Sequence, residues 1–70
     1  MDEVTTYKLA QADRQIVEGI GLIMKQRDLI SEMERSGVDT RESEAALARF
    51  LKTLRQFVDY RDRLLREKGA

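Results

Sequence analysis

Residues 36–40 read Ser36-Gly37-Val38-Asp39-Thr40, and the chain has no proline anywhere. In a sequence dominated by helix formers, this stretch is the strong punctuation. Gly37 fits the left-handed C′ position after a helix ending near Arg35. Val38 then falls at C″, where it can touch Met33 at C3. Asp39 offers an N-cap carboxylate to a second helix, with Glu42 three residues on completing a capping box; Thr40 is the alternative cap. One segment thus stops a helix and starts another within about four residues, which predicts an antiparallel helical hairpin. The expected fold is all-α, one domain over 1–70, with a first helix at about 3–35, a loop at 36–39 and a second helix at about 40–68.

Outward from the turn, the apolar positions repeat every seven residues. Leu9, Ile16, Ile23 and Ile30 form one column of the first helix, with Ala12, Gly19, Gln26 and Met33 as companions. The second helix repeats Leu47, Leu54 and Arg61, with Phe50, Phe57 and Leu64 as companions and Leu51, Val58 and Leu65 beside them. This 3-4 spacing favours near-parallel, knobs-into-holes packing. Folding the chain about residue 38 pairs positions whose numbers sum to about 76, setting Gly19 against Phe57, Ala12 against Leu64 and Gln26 against Phe50.

The run Glu18-Gly19-Ile20-Gly21-Leu22-Ile23-Met24 places two glycines inside a helix, at roughly 1 kcal/mol each relative to alanine. A phosphate cradle needs a strand before the glycines, and none precedes them. Close packing against a large ring explains Gly19. Gly21 lies away from Phe57, where it marks either an approach between subunits or a tolerated surface glycine. Around the pair, Ile16, Ile20 and Ile23 occupy one side of the helical wheel, Val17 and Met24 lie about a quarter turn away, and Leu22 and Leu29 take the other flank. One neighbouring helix covers a stripe only about 100° wide. The excess calls for a second hairpin, as in a homodimeric four-helix bundle. The expected core and interface set is therefore Ile16, Val17, Gly19, Ile20, Gly21, Leu22, Ile23, Met24, Leu29, Phe50 and Phe57.

Size and composition point the same way. A chain of 70 residues buries only about 60% of its unfolded surface and needs disulfides, a metal or partner subunits. It has no Cys and no His, so disulfides and thiolate chemistry are impossible and a structural zinc has lost its commonest ligands. Carboxylates one turn apart, Asp28 and Glu32, read as a solvated surface supported by Lys25 and Arg35. No Ser or Thr has a base beside it, and Tyr7 and Tyr60 suit the edge of a core. The sequence therefore predicts no catalytic residues, no cofactor, no metal and no small-molecule substrate. The longest mostly apolar run, Ile16 to Met24, is too short to span a bilayer, and the opening MDEVTTYK lacks the order of a secretion signal. A soluble cytoplasmic protein, without membrane contact, is expected.

Thirteen basic and thirteen acidic residues balance, so no global field draws in nucleic acid. The local case rests on Arg49, Lys52, Arg55, Arg63 and Arg66 on the outer face of the second helix. Asp59 and Asp62 interrupt that stripe at spacings that suit ion pairs with Arg55, Arg63 and Arg66, and no aromatic is interleaved to stack a base. A small dimeric RNA- or DNA-binding regulator is thus the alternative, and a solvated face the primary reading. Of the polar residues at core-type positions, Gln26 reads as a register device. Arg61 reads as a stem along the core edge with its head in water.

The segments QADRQIVEG (11–19), QRDLISEMERSGVDT (26–40), ESEAALARFLKTL (42–54) and YRDRL (60–64) resemble a group of small uncharacterised bacterial helical-hairpin proteins. Relatives in that group tend to be charged or polar where this chain has Ile20-Gly21. The resemblance implies the hairpin fold and a small-bacterial-protein context, and carries no activity. The shape is also similar to hairpin-dimer plasmid copy-number regulators that bind paired RNA loops, in architecture alone. The function expected is a non-enzymatic structural, adaptor or regulatory one. It would work through self-association and helix-mediated contacts with an unidentified protein partner.

Overall fold

Helix α1 (Glu3–Arg35) and helix α2 (Arg41–Gly69) lie side by side in a rod of 52 × 14 × 13 Å. This computed structural model describes residues 2–69, and side chains as far as Glu67; Met1 and Ala70, the ends of the expected 1–70 domain, lie outside the described residues. Contacts between the helices run in opposite senses along the chain: Met33 meets Ser43 near the loop, and Asp13 meets Arg61 far from it. The hairpin is antiparallel.

The local rules of the turn account for its shape. Gly37 has φ +72°, the left-handed conformation that a Cβ disfavours. The Val38 N–H donates to the Met33 carbonyl at 2.9 Å and the Gly37 N–H to the Glu34 carbonyl at 3.1 Å. These two bonds make the Schellman cap and satisfy carbonyls that the helix end leaves unpaired. At the start of α2 the cap differs from the primary expectation. The first helical bond runs from the Glu44 N–H to the Thr40 carbonyl at 2.8 Å, so Thr40 occupies the N-cap and Asp39 precedes it. The Asp39 carboxylate accepts from the Arg41 N–H at 3.0 Å and pairs with the Arg41 guanidinium at 2.8 Å. Among the described residues Glu42 makes no return bond, so the capping box is not formed. Asp2 caps α1, its carboxylate accepting from the Thr5 N–H at 2.6 Å.

The seam follows the seven-residue columns. Ala12, Ile23, Ile30 and Leu64 are buried, while Leu9, Ile16, Gly19, Met33, Leu47, Phe50, Leu54 and Phe57 are half-buried. The pairing of Gly19 is corrected. A Cβ built on Gly19 comes to 3.4 Å from Leu54 Cδ1, so Leu54 and not the Phe57 ring fills the seam opposite it. Phe57 sits one turn further along α2, on the wall of a groove beside the seam. Two polar side chains stitch the hairpin. Gln26 Nε2 donates 2.8 Å to the Ser43 carbonyl, not to the neighbourhood of Phe50 as the fold-over implied. Arg61 keeps the expected place at the core edge, its side chain 41% exposed, and its Nε also donates 2.9 Å to Asp13 Oδ1, so the head ties α2 to α1 at the surface.

Candidate interaction surface

The apolar belt of α1 is largely uncovered. Val17 is 68% exposed, Met24 62%, Leu22 51%, Leu29 47% and Ile20 45%. Gly21 lies on the back of α1, about half a turn from the buried column, and a Cβ there would have nothing within 4 Å. Only Ile23 of the expected interface set is buried by the hairpin itself; Ile16, Gly19, Gly21, Phe50 and Phe57 are half-buried.

The belt has two flanks. At about 100° per residue, Val17, Ile20 and Met24 face one way from the seam and Leu22 and Leu29 the other. On α2, Leu51 and Leu65, each 41% exposed, continue the first flank with the half-buried Val58. On the second flank Gln15, Glu18, Gly19 and Leu22 of α1 and Phe50, Thr53, Leu54 and Phe57 of α2 line a shallow open groove. Folding the two helices together thus leaves apolar side chains along both edges of the contact. Each such side chain is already about half covered, so roughly 1–2 kcal/mol remains available on removing it fully from water.

The total surface gives the same measure. A folded monomer of 8.1 kDa is expected to expose about 4,500 Å². The hairpin exposes 5615 Å², an excess of about 1,100 Å² over that expectation. A standard interface removes about 800 Å² per partner. The excess is therefore of the size that one protein–protein contact covers.

The basic outer face of α2 is exposed at Arg49, Lys52, Arg55, Arg63 and Arg66. The ion pairs that spacing suggested with Asp59 and Asp62 are not made among the described residues; the pairs present are Glu32–Arg35, Asp39–Arg41 and Asp13–Arg61. Competition from water at exposed positions, where such pairs gain almost nothing, explains their absence. The Arg63 guanidinium instead lies 5.9 Å from the centre of the Tyr60 ring. Among the described residues, the groups displaced from their ordinary ionisation are exposed ones at helix starts: the Thr5 N–H holds the Asp2 carboxyl low, and the Arg41 guanidinium and N–H hold Asp39 low, the Asp39 carboxylate raising Arg41 in turn. Among the described residues no group of three or more potential metal ligands forms, and no helix is long and apolar enough to cross a membrane. Sequence reasoning missed the Asp13–Arg61 bridge. Its signal was the heptad position of Arg61, which a long cation occupies when an acid stands at the same height on the facing helix.

Comparison with protein-family models, with curated proteins and with solved structures found no match.

Proposed function

We propose that this chain is a non-enzymatic structural or adaptor module that works by self-association, two hairpins combining into a four-helix bundle. The observation that supports this is the uncovered belt of α1, in which Val17, Ile20, Leu22, Met24 and Leu29 all remain between 45% and 68% exposed. Side chains of this kind, spread over about 18 Å of a 52 Å rod, mark association surfaces on soluble domains. A double substitution, Met24→Lys with Leu29→Lys, puts one charge on each flank without touching a buried residue. The variant is expected to run at half the native mass with its helical circular dichroism kept. An unaltered mass, or a native chain that is already monomeric, counts against the reading.

A second reading follows from Arg49, Lys52, Arg55, Arg63 and Arg66 of α2, which make no ion pair among the described residues: a small dimeric regulator of RNA or DNA. Retention on heparin at low salt, falling steeply as salt rises, would favour it. Flow-through at low salt would remove it.

A further inference from the structure

Self-association leaves the direction of the two hairpins open, and the pattern along the Ile20 flank of α1 fixes it. Asp13, Ile20 and Arg27 are spaced seven residues apart, so they share one stripe, drifting only about 40° around the helix from first to last. The stripe is acidic at one end, apolar in the middle and basic at the other. Asp13 and Ile20 are 61% and 45% exposed, and Arg27 is exposed as well.

We infer that two copies join through α1, antiparallel and centred on Ile20, so that Asp13 of each copy meets Arg27 of the other. This rests on the self-association proposed above and names its geometry. Reversing α1 about Ile20 sets Ile20 against itself and Ile16 against Met24, apolar on apolar. The opposite charges then meet twice, as a two-fold contact requires. The same axis brings Leu51 of α2 to within about one residue of the height of Val58 in the copy. Asp13 already accepts from Arg61 at 2.9 Å through one oxygen, and a carboxylate has lone pairs left for a second guanidinium.

Two alternatives fit less well. Packing the copies in the same direction places Asp13 beside Asp13, or beside Asp62 across a hairpin boundary, and leaves Arg27 without an acid on the other α1. Using the opposite flank, centred on Leu22, sets Leu29 against Gln15. The Ile20 flank also carries five of the large exposed apolar side chains, Val17, Ile20, Met24, Leu51 and Leu65.

The chain has no Cys, so single thiols report the geometry cleanly. The variants are Ile20→Cys, Asp13→Cys, Arg27→Cys and, on the outer face of α2 as a collision control, Gln56→Cys. Each is treated at micromolar concentration with a short bifunctional maleimide that spans one helix–helix spacing, about 8–10 Å. Ile20→Cys is expected to cross-link to itself. Asp13→Cys and Arg27→Cys are expected not to do so alone, because each lies about 21 Å from its own equivalent across the axis. A mixture of those two variants is expected to cross-link. Arg27→Glu is expected to weaken the dimer roughly tenfold at low salt, since two attractive contacts become repulsive. Self-cross-linking of Asp13→Cys above the control overturns the antiparallel arrangement. A dimeric mass with no cross-link at Ile20 also overturns it while leaving self-association standing. A monomeric mass removes both.

Discussion

Replacing Gly21 by alanine separates the shape of the hairpin from the energetics of its sequence. The glycine stands inside α1, where its backbone freedom costs roughly 0.8–1.0 kcal/mol relative to alanine. The added methyl has nothing within 4 Å, so no steric term offsets the gain. For a domain of 60–100 residues 1 kcal/mol is worth about 4–8 °C in melting temperature, and Gly21→Ala is expected to rise by that amount. Gly19→Ala is the control. Its methyl would touch Leu54 Cδ1 at 3.4 Å, an ordinary contact with the flexible tip of a side chain, so the rise should be smaller but still positive. Thermal unfolding followed by far-ultraviolet circular dichroism, at one fixed protein concentration because a dimer's midpoint depends on it, reads both. A lower or unchanged midpoint for Gly21→Ala would refute the reasoning, since it would mean that another chain lies against the back of α1.

Three further outcomes follow from the same geometry. Ile30→Ala removes a side chain only 8% exposed and is expected to cost about 2–5 kcal/mol. Phe57→Ala, half-buried beside an open groove, should lose less in chemical denaturation, and a larger loss at Phe57 would place that ring in a buried interface. Gln26→Ala gives up the bond to the Ser43 carbonyl and is expected to destabilise by about 0.5–1.5 kcal/mol; unchanged stability would show that water replaces the amide at no cost. Asp39 is held below its ordinary ionisation by Arg41, so its contribution is present above the unfolded value near 3.9 and fades as pH falls through the lower folded value. Asp39→Asn should therefore melt below the native chain at pH 7, with the gap closing as pH drops below about 4. A gap that persists in acid would assign the effect to something other than the carboxylate's charge.

The hairpin was legible because its determinants are local. Gly37 is placed by one backbone angle and two hydrogen bonds to residues within five positions, and the seven-residue columns that predicted the seam contain every residue buried among the described ones. The pairing across the seam was less legible. Counting from the middle of the loop holds where Met33 meets Ser43, yet at mid-rod Gly19 lies against Leu54, three residues from the counted partner. Which side chain fills a space beside a glycine depends on how neighbouring rings turn, and spacing does not encode that. The polar residues diverged for a related reason. Arg61 and Gln26 were assigned from their columns alone, whereas their heads are set by an acid and a carbonyl on the facing helix. Of the candidate surface, the breadth of the belt was readable from the sequence. The balance between its two flanks came only with the exposures of individual side chains.

On the proposed reading a second copy covers what α2 leaves exposed on α1. Sedimentation equilibrium of the native chain alone, over a concentration series through the micromolar range in dilute buffer, decides this. The expected result is a mass of twice 8.1 kDa, dissociating toward a single chain only on dilution. A folded, helical species that stays at the mass of one chain across the whole series would contradict it.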